Sequence, residues 1–324
     1  MKLLTIILFH LLFICITYGQ DFHYSQYYAN PLYLAPSMAG STGESRVNMQ
    51  YRDQWPSIPG RIVAFSFSGD HYFNKFKSGL GLKVMKDVAG TNEFSISQIG
   101  ISYSYVIKLN HYWTVRPGLG FYYTQRSIST DNIIFPDQLI GEMGIPSAAI
   151  GTFSNTNNVD IESSIMLNTS NFWLGVNVDH LTRPNMAFYN TNYRIPIKMS
   201  VFTGYRFPFF QPYKKKFKHS ISISANYYLQ GDNDQLDIGI YWKFNSFLTG
   251  FWYRGLPSFK QKAISDAAII MVGYEYNKLR IGYSYDLTIS KLGPSTGGAH
   301  ELAISYAFSI NERKKKISVP CPDF

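Results

Sequence analysis

Charge is scarce in this chain. Only 16% of its 324 residues are Asp, Glu, Lys or Arg, against roughly 25% in an average soluble domain. Cysteine is scarcer still, with Cys15 and Cys321 alone. Cys15 falls in an N-terminal export segment described below, so the exported chain has no second thiol for an intramolecular disulfide. Beyond the run Leu3–Ile16, no stretch reaches the ~18 apolar residues of a transmembrane helix. The signatures of chemistry are missing as well. There is no CxxC or HExxH, so zinc spacing is absent. The histidines His23, His71, His111, His180, His219 and His300 are scattered. Gly79-Leu80-Gly81 begins like a nucleotide loop, but Val84 stands where a third glycine belongs. Gly282-Tyr283-Ser284-Tyr285-Asp286 begins like a nucleophile elbow and ends on Asp. Asp232-Asn233-Asp234 has too few oxygen ligands for a calcium loop and suits a polar turn. No enzyme class and no cofactor is indicated.

Aromatic residues are plentiful, at 17%, with 25 Tyr and 24 Phe. Tyrosine at that level favours strands and water–hydrocarbon interfaces, because its ring is apolar and its hydroxyl seeks water. Lys2, the apolar run Leu3–Ile16 and the small residue Gly19 read as a secretory signal peptide over 1–19. Removing it takes Lys2 away and lowers the net charge of +9 by one. Ile14 stands before Cys15 where a lipoprotein signal needs a small residue, and Cys321-Pro322-Asp323-Phe324 lacks the aliphatic pair of a prenylation box.

From Arg46 onward the dominant signal is period-two alternation. Ile221, Ile223, Ala225, Tyr227 and Leu229 oppose Ser220, Ser222, Ser224 and Asn226. Ile281, Tyr283, Tyr285 and Leu287 oppose Arg280, Gly282, Ser284, Asp286 and Thr288, and Leu302, Ile304, Tyr306 and Phe308 oppose Glu301, Ala303, Ser305 and Ala307. Each is a strand with one apolar face and one small or polar face. A soluble sandwich also alternates, but these runs are longer than the usual ~5–6 residues. Aromatics cluster near their ends, as in the girdles of membrane barrels, and their second faces suit a wet lumen. The expectation is an all-β outer-membrane barrel of about fourteen antiparallel strands over 46–310. It is preceded by an irregular stretch 20–45 and followed by a basic tail 311–324.

Connections alternate in length. The links at Leu109-Asn110, Asn168–Ser170, Ser246 and Asn277 are tight, whereas Ser127–Asn158, Thr182–Pro196, Leu256–Ser265 and Ile289–Gly298 are long. Long extracellular loops and short periplasmic turns are the barrel pattern, which places both ends of the exported chain in the periplasm. The loop Ser127–Asn158 carries Phe135, Ile140, Met143 and Ile145, apolar residues suited to a cargo-binding surface. Two basic clusters, Lys214-Lys215-Lys216 and Arg313-Lys314-Lys315-Lys316, fall on the turn side. They are solvated turns or a docking surface for an acidic periplasmic partner. Lysines gathered at turns, with aromatics facing lipid, argue against nucleic acid. Arg254, Gly255, Glu275, Arg280, Asp286 and Glu301 lie on or beside inward faces, where opposite charges brace the barrel or line a pore.

Several stretches together resemble a known family. They are Tyr24 to Tyr33 with Asn30-Pro31, then Pro36 through Gly40, and Tyr51-Arg52-Asp53-Gln54-Trp55. Gly250 to Gly255, Leu279 to Asp286, Gly297 to Leu302 with His300, and Cys321-Pro322 follow in order. The exported chain resembles the PorP/SprF family over essentially its whole length. The resemblance implies an outer-membrane accessory of the type IX secretion system of Bacteroidota. It further implies partners of two kinds: secreted surface proteins or gliding adhesins with type B C-terminal domains, and periplasmic components of the machine. The ending Asp323-Phe324 departs from the basic residue usual before the last Phe.

The irregular segment, broken at Pro31 and Pro36, suits a compact turn-rich plug that enters the lumen from the periplasm, its tyrosines meeting polar inward faces, or a strap across the barrel base. Two functions remain in view: a plugged barrel that binds secreted cargo, and a porin-like channel or transporter.

Overall fold

The computed structural model describes residues 21–91, 93–129, 155–188, 192–209, 219–255 and 265–309. Fifteen strands follow in chain order: β1 Ser45–Gln54, β2 Ile62–Phe73, β3 Ser78–Ala89, β4 Phe94–Tyr105, β5 Ile107–Lys108, β6 Thr114–Ser127, β7 Thr156–Asn168, β8 Phe172–Asp179, β9 Lys198–Phe209, β10 His219–Gln230, β11 Asn233–Phe244, β12 Phe247–Gly255, β13 Ser265–Tyr276, β14 Leu279–Thr288 and β15 Ala299–Phe308. The two-residue β5 continues β4 past a break at Val106, and both pair with β6. The barrel therefore has fourteen antiparallel staves. Every stave pairs with its sequence neighbours, and β1 pairs with β15 to close the ring. Closure leaves no open sheet edge, the condition for a sheet in lipid.

The in–out pattern is inverted relative to a soluble protein. Outward side chains such as Phe65, Ile99, Ile101, Ile240, Phe251, Ile270 and Ile281 are exposed, whereas Ser66, Ser68, Ser102, Ser104, Asn48 and Gln50 are buried. The outer surface is thus an apolar belt made for lipid. Tyr105, Phe209, Phe247, Tyr274, Tyr276 and Tyr306 crowd the outside at the end where the tight turns lie. We call this the turn end, and the opposite one the loop end. Asn245, Asn277 and Lys278 take left-handed backbone at the tight turns, the geometry of twisted two-residue hairpins. One loop-end link is also tight: β10 and β11 are joined by Gly231-Asp232 alone, because Asn233 already belongs to the strand.

Residues 21–43 are mostly buried, and they touch inward faces all around the ring. A 3-10 turn Tyr27–Ala29, a single helical turn Pro31–Leu34 and a second 3-10 turn Pro36–Met38 make up the compact part. Each proline opens its turn, where its missing N–H costs nothing and its fixed φ is an advantage. Asp21 meets His180 and Gln230 near the loop end, and Gly40 meets Asp70 near the turn end. The segment therefore runs the length of the lumen before β1 begins. Ser45 and Phe308 pair side by side at the turn end. Asp21 lies at the other end.

The lumen is not uniformly polar, which the alternation rule had suggested. Met166, Trp173, Phe202, Tyr241, Trp252 and Met271 point inward and form one buried cluster with Leu34, Met38 and Tyr27. Three of these rings lie over glycines of the next strand. Trp173 pairs with Gly204, Phe202 with Gly175 and Trp252 with Gly239, and a Cβ on any of those glycines would stand 2.1 to 2.2 Å from the ring.

Candidate functional site

The inner segment is gripped at Ser25 and Gln26 by a cluster of buried charges. Two cross-strand pairs set the frame: Arg52 of β1 stands opposite Glu301 of β15, and Asp237 of β11 opposite Arg254 of β12. Asp286 of β14 lies between them. Arg52 contacts Asp286 at 2.9 Å and Glu301 at 3.0 Å, and Arg254 contacts Asp237 and Asp286, each at 3.2 Å. Ser25 closes the cluster. Its hydroxyl accepts from Arg52 at 2.6 Å and from Arg254 at 3.0 Å and donates to Asp286. The carboxylate of Glu301 accepts the backbone N–H of Ser25 at 2.8 Å and of Gln26 at 2.7 Å. The Gln26 amide donates to Ser284 and to the Glu301 carbonyl, and Gln50 donates to the Gln26 carbonyl at 2.8 Å. Ion pairs this deeply buried are stable only when hydrogen bonds satisfy what the charges leave over, and here the segment itself supplies them.

Below this grip the Asn30 side chain donates to Ser66 at 3.0 Å and accepts from Ser68 at 2.6 Å. Arg116, fully buried, donates to the carbonyls of Ser37 and Ala39. Gly40 donates its N–H to Asp70, itself paired with Arg46. Two wall glycines make room for the segment's backbone. A Cβ on Gly79 would stand 2.0 Å from the Ala39 carbonyl oxygen, and one on Gly118 2.3 Å from the Ser37 nitrogen. Gly40 has φ +62, a left-handed conformation natural to glycine.

Above the grip, Asp21 contacts His180 at 2.8 Å and Lys198 at 3.4 Å, and His180 is held on its other nitrogen by Asp160 at 2.7 Å. Burial opposes the charge on Asp21, but His180 and Lys198 hold its carboxyl well below the usual range. Burial likewise opposes the charge on His180, and Asp21 and Asp160 raise it to about 10. His23 is driven the other way, by burial first and Lys198 second.

A family model described as type IX secretion system membrane protein PorP/SprF matches residues 16–306. The chain belongs to the PorP/SprF family. No curated protein matches it. Among solved structures this PorP/SprF barrel overlaps the outer membrane protein Omp33 of Acinetobacter baumannii, at 9% identity and a TM-score of 0.45, over 82% of this chain and 98% of that one. It also overlaps the toluene transporter TbuX of Ralstonia pickettii, at 11% identity and a TM-score of 0.48, over 86% and 92% of the two chains. The P. putida toluene transporter TodX overlaps at 9% identity and a TM-score of 0.45, over 86% and 93%. Likeness this loose carries no argument about ligand or transport.

The residues singled out in the sequence of this PorP/SprF protein separate into groups. Arg254, Asp286, Glu301 and Arg52 come together around Ser25. Asn30, Pro31, Pro36 and Gly40 belong to the inner segment. Arg52 and Trp55 do not: Arg52 is a wall residue that reaches in, and Trp55 follows β1 at the loop end, where its N–H donates to Gly298. Gly255 marks a register shift at the loop end of β12. Arg280 stands apart near the turn end, pairing with Glu275, which Lys243 also meets. His300 is not a lumen residue. It lies on the outer face and meets the Tyr283 hydroxyl at 2.7 Å, because its neighbour Glu301 takes the inward position of the pleat. Phe135, Ile140, Met143, Ile145, Lys214, Lys215, Lys216, Arg313, Lys314, Lys315, Lys316 and Cys321 lie outside the described residues. Sequence reasoning missed Ser25, Asp237 and Arg116. Asp237 was findable, since it faces Arg254 across one strand pair.

Proposed function

We propose that this barrel is a plugged accessory of the type IX secretion system. It holds a secreted surface protein or gliding adhesin, through a C-terminal domain of the type B kind, at its loop end. It couples that cargo to periplasmic secretion or gliding components at its turn end. In this reading the long loops face outside the cell and the tight turns face the periplasm, and no catalysis takes place in the barrel. One observation carries the reading: residues 21–43 occupy the lumen and are built into its charge network, with Ser25 shared between Arg52, Arg254 and Asp286. A diffusion channel needs a continuous wet path, and here polar inward residues are spent on holding a segment. Family membership supplies the secretion context.

The test is extraction from native outer membranes in mild detergent, with identification of what accompanies the barrel. Recovery of a large surface protein bound through its C-terminal domain, or of a periplasmic secretion component, is the expected result. Recovery of the barrel alone, conducting steadily in a planar bilayer, would overturn the reading in favour of a channel. Deleting residues 21–40 is expected to turn a silent barrel into a conducting one.

A further inference from the structure

Two cavities, of about 460 and 240 Å³, flank the first residues of the inner segment at the loop end. They share Asp21, Phe22, His23, Asp87, Phe94 and Ile96 as walls. Asp87 of β3 is 4% exposed, and its Oδ1 has no hydrogen-bond partner. It is an exception. Asp70 meets Arg46, Asp160 meets His180, Glu162 meets Lys83, and Asp237, Asp286 and Glu301 meet Arg52 or Arg254. Asp234 accepts the Tyr227 hydroxyl. Among the described residues every other buried carboxylate thus has a partner within the protein. A buried carboxyl with none either keeps its proton or is relieved by an opposite charge brought from outside.

The surroundings favour a cation. The larger cavity is lined by Asp21, Asp87, Asp234 and Asp266 against one arginine, Arg254, which Asp237 and Asp286 already engage. Arg126, on the side of the smaller cavity, attracts Asp87 electrostatically without a hydrogen bond to it. Its guanidinium lies 5.0 Å from the Phe94 ring centre and 5.6 Å from that of Phe188, and it donates to the Met186 carbonyl. The larger cavity also has aromatic walls, Phe22, Trp55 and Phe94. Arg52 already lies over Phe22 and Arg126 over Phe94, which leaves Trp55 as the aromatic face beside the carboxylates, a pairing that suits an alkylammonium or guanidinium. It does not suit a metal ion, and among the described residues no group of three or more metal ligands is present. A volume of this order accepts a side chain or a small ligand.

We propose that this vestibule binds a basic side chain, an alkylammonium or guanidinium, with Asp87 as its counter-ion and Trp55 as its aromatic wall. The proposal goes beyond the secretion reading and concerns the barrel alone. The test is calorimetric titration of the full-length protein in detergent at low salt. The ligands are tri-lysine, spermidine and the uncharged tri-norleucine. Tri-lysine is expected to bind and tri-norleucine not to bind. Asp87→Asn is expected to weaken tri-lysine about tenfold or more, and Asp87→Glu to preserve it. Tri-lysine tighter than spermidine assigns the site to polypeptides. Equal affinity assigns it to free polyamines with the same chemistry. No heat from either cation, or binding that Asp87→Asn leaves unchanged, overturns the proposal. If Asp87→Asn fails to fold, Trp55→Leu, expected to weaken tri-lysine about fivefold, decides in its place. No secretion partner is present in this titration, so its failure leaves the co-extraction result untouched.

Discussion

Residues 21–30 of the inner segment meet the barrel through a network of ion pairs, whereas residues 31–43 add apolar packing and close backbone contact to hydrogen bonds from Arg116 and to Asp70. In the first stretch Asp21, Ser25 and Gln26 bond to His180, Arg52, Arg254 and Glu301. Cavities lie beside it. In the second, Leu32, Leu34 and Met38 are at most 3% exposed, and glycines bring wall and segment within backbone distance. Fully burying each such side chain is worth about 1.5–3 kcal/mol, with no dependence on salt or pH. The two modes differ in how they yield. Apolar interdigitation tolerates little change of shape. A charge network responds to pH and to competing ions. The segment is therefore anchored at the turn end and more adjustable at the loop end.

Four experiments break or sharpen this contrast. The largest effect is expected from Arg52→Met, which leaves Glu301 without its cation inside the lumen. Removing one partner of a buried pair costs about 3–5 kcal/mol. The measurement is the unfolding midpoint in denaturant together with limited proteolysis. Cleavage is expected between Phe22 and Tyr27 while Leu34 stays protected. Simultaneous exposure of both stretches would show that the segment is held as one unit.

Next comes the turn end. Gly118→Ala sets a methyl group 2.3 Å from the Ser37 nitrogen, and overpacking of this kind costs about 1–3 kcal/mol. Here the opposite proteolytic pattern is expected, with new cleavage between Pro31 and Gly40. Thermal shift of the folded band on cold gel electrophoresis gives the magnitude.

A smaller effect follows pH. His180 is raised to about 10, so its contribution is complete below the ordinary 6.5 and is lost as pH climbs through about 10. Asp21 is depressed, so its contribution is present above the ordinary 3.8 and is lost as pH falls through its lowered value. Protection of Phe22 and Tyr24 from protease is therefore expected to stay level between about pH 5 and 6.5 and to decline from there toward about pH 10. His180→Gln is expected to remove that decline. The smallest effect is the control. Arg61 pairs with Asp53 on the exposed rim, and Arg61→Gln is expected to change neither melting nor proteolysis, as exposed pairs contribute little.

Much of the barrel was legible beforehand because period-two alternation is a local property. Ser222, Ser224 and Asn226 point inward and Ile223 outward as the pattern requires. The same rule misplaced the character of Trp173 and Phe202, which share the small-residue face. The signal for them was present in the paired glycines Gly204 and Gly175, but reading it needs the strand register. His300 lies outward beside the inward Glu301, because a single step along a strand reverses the face.

Strand, face and approximate stave number were thus determined by the sequence itself, since each depends on residues one or two positions apart. The grip on Ser25 was decided by the tertiary structure alone. Ser25 and Glu301 are 276 positions apart, and they meet only because β1 and β15 close the ring and the inner segment lies within it. Which buried charges are satisfied, and that Asp87 is not, depends on the same closure. Charge pairing inside a lumen is a matter of three-dimensional distance, and no spacing along the chain encodes it.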